Sequence, residues 1–308
     1  MIRKASLLGL LLLTALAPAA LAQRSVQQSG PLAADGTLDV SNVAGEVTIT
    51  GWDRNEIEVT GDIGDYQDLD FSTDGEHARV EVRWDHRGQD RHGDHDEDWD
   101  EDDGDEEAEI SIRVPKTSRV RASTVSARIA VRDLTDELHL QSVSGDIDAQ
   151  VYGADATIGT ISGTIQVDGR QDVGDLRLNL VSGDAWVRDI SGDLTVRTVS
   201  GDLNIRAGKL GRARIDTTSG DVSMRAGLDK DARFEVDSTS GDLQLELCDK
   251  PDAVYELSSF SGEIQAYDRH GEQRNEHGPT SDLRFKVGSG SALVRIDTLS
   301  GEIYLSDC

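Results

Sequence analysis

Short alternations of apolar and polar residues run along most of this chain, and a Ser-Gly-Asp, Ser-Gly-Glu or Ser-Gly-Thr tripeptide interrupts them at regular intervals. Alternation with a period of two residues is typical of a β-strand with one buried face. The nine tripeptides centre on Gly145, Gly163, Gly183, Gly192, Gly201, Gly220, Gly241, Gly262 and Gly301. If the two nine-residue steps around Gly192 are joined, the unit is 18 to 21 residues long, except for 39 residues before Gly301. This spacing predicts a repeat architecture.

The alternation changes phase at each repeat glycine. Apolar residues lie five positions before it, as at Leu140 and Ile158, and two positions after it, as at Ile147 and Ile165. A straight strand would turn one of these sets outward, because successive side chains point to opposite faces. The chain must therefore bend at the glycine, which tolerates unusual backbone geometry. We interpret all nine glycines as corners that join two short strands.

Coils of two short strands bury their apolar sides only when neighbouring coils stack on each other. We therefore predict an all-β fold, a β-solenoid built as a single-chain, parallel β-helix-like stack of roughly ten rungs. Each 18–21-residue rung would hold two short strands. Successive rungs would lie about 4.8 Å apart.

The first residues predict a secretory signal peptide over residues 1–22. Arg3 and Lys4 precede a short apolar run, and Ala20-Leu21-Ala22 resembles a cleavage site. The run is shorter than the roughly 20 residues that a membrane-spanning helix needs. We expect an exported protein, periplasmic or secreted to the cell surface, with an N-terminal segment at 23–35 and the solenoid at 36–308.

The charge of the chain restricts its partners. It has 59 acidic against 31 basic side chains, a formal net charge of −28. Such a chain is repelled by nucleic acid and by anionic membrane surfaces, unless divalent cations or local basic patches mediate the contact. We predict no nucleic-acid partner and no transmembrane segment.

Serine precedes the repeat glycine and an acidic residue usually follows it, as in Asp146, Asp184 and Asp202. A row of serine nucleophiles is disfavoured, because no histidine recurs with the repeat. The carboxylates could accept hydrogen bonds from corner amides, or they could form a ladder that collects Ca²⁺. We favour the hydrogen-bonded, structural interpretation.

An acidic insertion spans residues 85–107 and carries thirteen carboxylates against two arginines, a net −11. Strand-like segments flank it, and a charge block of this kind is usually a disordered, solvated loop. Imidazole and carboxylate together can bind Zn²⁺ or Ca²⁺, which leaves weak metal binding as the alternative. The candidate ligands are His86, His92, His95, Asp94 and Asp96.

Two cysteines, Cys248 and Cys308, each lie seven residues after a repeat glycine. Equivalent positions two or more rungs apart would be separated by about 10 Å or more. A disulfide requires Cα atoms within about 7 Å. Export permits the bond, so the pairing stays open, and a bent C-terminal tail would be needed to close it.

Three stretches resemble one bacterial family of adhesin-like β-strand repeats, which is otherwise a domain of unknown function. They are Ala44 to Arg54 (AGEVTITGWDR), Ile112 to Pro115 (IRVP) and the serial Val-Ser-Gly-Asp units. The resemblance covers about 36–308 and implies a solenoid-like fold in an envelope or extracellular setting. It brings no catalytic or binding residues, and the acidic insertion departs from the pattern.

These observations predict a non-enzymatic envelope or surface protein with an adhesin-like binding or scaffolding role and no cofactor. Its envelope or surface partner is unknown, and open strand edges would also permit end-to-end self-association. One alternative is periplasmic metal binding through the insertion. Another, a polysaccharide-active β-helix enzyme, is disfavoured because the carboxylates are spread evenly and not gathered at one rung.

Overall fold

The computed structural model describes residues 24–84, 107–170, 174–248, 252–267, 273–276 and 281–308. The predicted signal peptide and most of the acidic insertion, with its candidate ligands, lie outside the described residues. Within them the secondary structure is β, and no helix is long and apolar enough to cross a membrane.

The described residues form 23 strands. The first eight are β1 (Arg24–Asn42), β2 (Gly45–Trp52), β3 (Glu56–Ile63), β4 (Gln67–Thr73), β5 (Gly75–Trp84), β6 (Ala108–Pro115), β7 (Arg119–Thr124) and β8 (Arg128–Arg132). The next eight are β9 (Leu138–Ser142), β10 (Ile147–Val151), β11 (Ala156–Thr160), β12 (Ile165–Gly169), β13 (Asp175–Leu180), β14 (Ala185–Thr198), β15 (Leu203–Thr217) and β16 (Val222–Ser240). The last seven are β17 (Leu243–Cys248), β18 (Ala253–Ser261), β19 (Ile264–Tyr267), β20 (Gln273–Glu276), β21 (Ser281–Lys286), β22 (Ala292–Ser300) and β23 (Ile303–Asp307).

Parallel pairing stacks one coil on the next through the middle of the chain. On one face β9 pairs with β11 and β11 with β13, so that Leu140, Ile158 and Leu178 are register neighbours. On the other face β8, β10, β12 and the start of β14 follow one another in the same way. The arrangement is all-β and solenoid-like, with a corner between the two strands of a coil, as the change of phase predicted.

The apolar columns predicted to face inward are buried. The column five residues before the glycine is at most 2% exposed at every position. Its members are Leu140, Ile158, Leu178, Val196, Ile215, Val236, Leu257 and Ile296. The column two residues after the glycine is equally buried, from Ile147 to Ile303. Burying an aliphatic side chain contributes about 1.5–3 kcal/mol, so these continuous columns hold the stack together.

Both ends of the stack depart from a simple succession of coils. The first coil, β1 and β2, lies between the coil of β5 and β6 and the coil of β7 and β8. The last coil, β22 and β23, lies between the coil of β16 and β17 and the coil of β18 and β19. Antiparallel strands extend both ends, with β3 and β4 at one and β20 and β21 at the other.

The N-terminal segment set apart in the sequence continues the same sheet. Residues Arg24 to Pro31 of β1 pair antiparallel with β3, and β1 then runs on into the first coil. The described part of this segment is therefore strand.

Gly192 is not a corner of the predicted kind. It lies inside β14, with φ of 109°, and pairs with Leu210 at a break in the register of β14 and β15. The corner that follows Gly183 along the stack is that of Gly201, which contacts the Gly183 carbonyl. The interpretation of Gly192 as such a corner was wrong because this copy of the tripeptide lies where β14 returns from the face of β12, at Ala185, to the face of β13, at Leu194.

Cys248 and Cys308 form a disulfide, with their Cα atoms 4.9 Å apart. The expectation that they lie two or more rungs apart was wrong, because the last coil inserts directly beside β17. Leu247 and Asp307 are register neighbours, which places the two following cysteines side by side. The bond closes a sequence separation of 60 residues and attaches the inserted coil to the stack.

Candidate interaction surfaces

The glycine corners stack so closely that a Cβ would collide with the backbone of the neighbouring coil, and Ala127 takes the equivalent position only between β7 and β8. A Cβ on Gly163 would lie 2.2 Å from the carbonyl oxygen of Gly145, and one on Gly183 would lie 2.2 Å from that of Gly163. Gly201, Gly220 and Gly241 repeat this approach and also have φ of 124°, 112° and 117°. Glycine is therefore required by contact between coils, and in part by a left-handed backbone.

The serine before the glycine holds one corner to the next. Ser144 donates from its backbone nitrogen to the carbonyl of Val125 at 2.7 Å, and its hydroxyl donates to the same oxygen at 3.2 Å. Ser200 makes the same pair of bonds to the carbonyl of Val181. These hydroxyls are engaged with backbone, which supports the structural interpretation of the serine column.

The acidic residue after the glycine also bonds along the stack. Asp184 Oδ1 accepts from the backbone nitrogen of Asp202 at 2.9 Å, and Asp202 Oδ1 accepts from that of Asp221 at 3.0 Å. Asp146 and Asp242 accept equivalent bonds from the coils that follow them. The predicted carboxylate-to-amide bonding is confirmed, with the amide supplied by the neighbouring coil.

A row of exposed apolar side chains follows the same edge, two residues before each corner glycine or, in one coil, before Ala127. Six consecutive coils contribute to this apolar ridge, and their residues are 38% to 51% exposed. They are Val43, Val125, Val143, Ile161, Val181 and Val199. The hydrogen bonds that join neighbouring corners fix this order. Five steps of about 4.8 Å make the ridge about 24 Å long.

Beyond Val199 the row continues with threonines and then returns to apolar residues. Thr218 and Thr239 occupy the next two coils, and Leu299 and Phe260 follow with exposed fractions of 52% and 60%. The carbonyl of Thr218 accepts from the backbone nitrogen of Ser240 at 2.9 Å, as the valine carbonyls do from their neighbours. The corner therefore forms equally well with a polar residue at this position.

The acidic insertion is attached at this edge. It separates Trp84, the last residue of β5, from Ala108, the first of β6, where other coils have their corner. Gly45 lies against the backbone of Ala108 in the same way as the corner glycines lie against their neighbours. A Cβ added to Gly45 would lie 2.1 Å from the carbonyl oxygen of Ala108. The insertion thus joins the stack one coil beyond Val43, at the end of the ridge.

Ion pairs cover parts of the outer surface. Hydrogen bonds from Arg83 and Arg79 lower the pKa of Glu81 to about 2. Further along the same strand face, the hydrogen bond with Asp216 raises the pKa of Arg214, with further contributions from Asp237 and Glu235. The Glu81 pairs lie within β5, whereas the pairs of Arg214 with Glu235 and Asp237 link adjacent coils.

The predicted metal ligands cannot be placed, because His86, His92, His95, Asp94 and Asp96 lie outside the described residues. In the part of the chain that the structure describes, no group of three His, Cys, Asp or Glu side chains could hold a metal ion. The apolar ridge was missed in the sequence, although valine or isoleucine lies two residues before Gly145, Gly163, Gly183 and Gly201.

A family model described as Toastrack DUF4097 matches residues 37–247. No curated protein sequence matches the chain. Among solved structures, it resembles a "putative lipid binding protein" from Parabacteroides distasonis ATCC 8503, with 12% identity, a TM-score of 0.46, and 91% of this chain and 96% of that chain covered. It also resembles a "putative adhesin" from Bacteroides fragilis NCTC 9343, with 9% identity, a TM-score of 0.34 and coverage of 92% and 98%.

Proposed function

This chain belongs to the Toastrack DUF4097 family, and we propose that it is a non-enzymatic, exported envelope or surface protein that binds a protein partner along its apolar ridge. It would act as a rod of roughly ten stacked coils. The observation that carries the proposal is the unbroken row of six half-exposed aliphatic side chains on one edge.

The fold does not require aliphatic side chains at the ridge positions. The corner needs the backbone of this residue, whose carbonyl accepts from the next coil, but it does not need an apolar side chain, as Thr218 demonstrates. A contiguous apolar surface on a water-exposed edge is typical of an interaction site. The six residues therefore support binding better than stability.

The charge beside the ridge selects the chemistry of the partner. Asp146, Asp184 and Asp202 follow the ridge residues of their coils, and the insertion between Trp84 and Ala108 carries a net −11 by sequence. Opposite charges favour encounter and suppress wrong partners. We expect a protein surface with an apolar stripe bordered by lysine or arginine.

The ends of the stack offer a weaker alternative. The strand β21 pairs with β18 and carries exposed Asp282, Arg284 and Lys286. Charged side chains on terminal strands oppose edge-to-edge pairing. We therefore place the partner on the ridge and not at the end of the rod.

The test replaces Val143, Ile161 and Val181 together with threonine, which the corner already accepts at Thr218. Purified protein is titrated onto isolated cell envelopes, and a photo-crosslinking amino acid at position 125 reports contact with a protein. We expect the triple variant to lose about tenfold or more in affinity, since three half-buried aliphatic contacts contribute more than 1.4 kcal/mol. Its melting temperature should stay close to that of the native chain.

The matched control changes Gln141, Thr157 and Asn179 to alanine on the adjacent strand face, and it should bind as the native protein does. Binding should also weaken with rising salt, because the acidic row contributes. Equal binding by the ridge variant and the native chain, with no crosslink from position 125, would refute the proposal.

A further inference from the structure

A groove of about 860 Å³ lies on the strand face that follows the corner, across β15, β16 and β17. We call it the basic groove and define it by Asn204, Arg206, Lys209, Ser223, Arg225 and Gln244. Asp189 and Glu246 also line it. The local charge is therefore positive, on a chain whose net charge is −28.

Two straight rows of polar side chains cross the basic groove. Asn204, Ser223 and Gln244 are register neighbours on successive coils and form the first row. Arg206 and Arg225 are neighbours in the second row. Members of a row repeat about every 4.8 Å, and the rows lie about 7 Å apart along the strands. The groove thus presents repeated groups in a line.

The cations of the basic groove are largely uncommitted. Among the described residues, no carboxylate lies within 4.0 Å of the charged atoms of Arg206 or Lys209, and the same holds for Arg188, which precedes Arg206 in the row. Arg225 meets Glu246 only at 3.7 Å. By contrast, Arg214 on another face contacts three carboxylates.

Stacking like charges in this way does not stabilise the fold. Neighbouring guanidinium groups about 4.8 Å apart repel each other weakly in water, and no backbone acceptor of the described residues binds Arg206 or Arg225. The aspartate column differs, because each of its carboxylates accepts an amide from the next coil. A repeated charge without structural compensation is evidence of a binding function.

The side chains of the groove and its border indicate the class of ligand. Guanidinium groups form paired hydrogen bonds with carboxylates and phosphates, and the amide and hydroxyl row can bond to hydroxyl groups. Trp186 continues the first row beside Asn204, and Tyr304 continues it beyond Gln244. Flat aromatic side chains at both ends can cover apolar ring faces.

We infer that the basic groove binds an anionic saccharide chain, with acidic groups on Arg206 and Arg225 and hydroxyl groups on Asn204, Ser223 and Gln244. This inference does not depend on the apolar ridge, which lies on the corner edge and uses other residues. The ridge variant described above should therefore bind the saccharide as the native chain does.

The test titrates the whole protein by calorimetry with a short oligogalacturonate, and with its fully methyl-esterified form as the neutral comparator. We expect the acidic form to bind and the neutral form to bind at least about tenfold more weakly, since charge-assisted bonds are lost. The double variant R206A/R225A should lose about tenfold to a hundredfold in affinity. The variant R121A, which removes an exposed arginine from β7, should bind like the native chain.

Further measurements distinguish saccharide binding from the binding of other anions. W186A should weaken oligogalacturonate binding and leave any binding of inorganic phosphate unchanged. Circular dichroism shows whether each variant is folded. We expect all of them to fold, because the substituted residues lie on the surface. No binding by the native chain, equal binding by R206A/R225A, or equal affinity for duplex DNA or phosphatidylglycerol vesicles would overturn the inference.

Discussion

The close stacking of the corners can be tested by adding one methyl group at Gly163. Its backbone is outside the left-handed region, yet a Cβ would lie 2.2 Å from the Gly145 carbonyl oxygen and 2.7 Å from its carbon. Both are backbone atoms of the neighbouring coil, so no side chain can move aside. Relief requires the coils to separate where Ser162 donates to the carbonyl of Val143 at 2.9 Å.

We expect Gly163→Ala to lower the free energy of unfolding by about 2–4 kcal/mol. Forcing a methyl group into a packed site costs about 1–3 kcal/mol, and weakening the adjoining hydrogen bond costs about 0.5–1.5 kcal/mol more. Gly220→Ala combines the same clash with a φ of 112°, so backbone strain adds about 1–3 kcal/mol. Gly75→Ala isolates that strain, because φ is 95° and no atom lies within 4 Å.

The assay is urea unfolding followed by circular dichroism, with hydrogen exchange to locate the coils that open first. Gly159→Ala is the matched control in the same coil, since its nearest atom, the Asn179 carbonyl oxygen, is 3.3 Å away. It should cost clearly less than Gly163→Ala. If the two variants unfold at the same urea concentration, the corners do not stack as described.

Four further changes probe other parts of the stack. Replacing Cys248 and Cys308 with serine should cost up to about 4 kcal/mol, the loop-closure value for a separation of 60 residues, and reducing the native disulfide should reproduce the loss in urea unfolding. Because the pKa of Glu81 falls from its ordinary 4.5 to about 2, its ion pairs stabilise the fold above pH 4.5, and that contribution disappears as the pH falls toward 2. Glu81→Gln should remove this part of the acid sensitivity, about 1 kcal/mol for an exposed pair, in denaturation measured across that range. Leu178→Asp should unfold several neighbouring coils together in hydrogen exchange, since Leu178 is 0% exposed in a continuous column. Deleting residues 86–106 should barely change the melting temperature, and loss of folding would show that the insertion belongs to the core.

The inward columns and the corners could be predicted from the sequence because each depends on a local pattern. Period two determines which side chains of a strand face inward, and the change of phase at Gly145 or Gly220 requires a bend whatever the surroundings are. The serine and aspartate columns could also be assigned, since hydroxyl and carboxylate groups beside a bend usually bond to backbone. In these cases neighbouring coils repeat the same interaction.

The order of the coils could not be predicted, because every coil carries the same pattern and fits beside any other. The chain after β17 could have formed the adjacent coil directly. Instead β18 and β19 form one coil further out, and β22 and β23 fill the space between. The long step before Gly301 marked the irregularity but not its geometry, and the disulfide between Cys248 and Cys308 depends on it.

The groove across β15, β16 and β17 also exceeded what local patterns reveal. Arg206 and Arg225 each lie five residues after a repeat glycine, so the repeat alone aligns them, but it does not show that a third cation lies beside them. Lys209 joins them through a break in the register of β15 and β16 between Arg206 and Lys209. Strand breaks of this kind are set by packing between coils and have no sequence signature of their own.

The repeated columns of this chain differ in whether the stack itself uses their side chains. Glycine, serine and aspartate at the corner each fit or bond to the next coil, so their recurrence is explained by folding alone. The ridge from Val43 to Val199 recurs without such partners in the described residues. In the row containing Arg206 and Arg225, Arg206 also lacks one among the described residues, and Arg225 meets Glu246 of the next coil only at 3.7 Å. A regular solenoid aligns any repeated residue at about 4.8 Å, and it thereby turns a side chain of no structural use into an extended surface. On this reasoning these two rows, and not the conspicuous Ser-Gly-Asp tripeptide, are where binding should be sought.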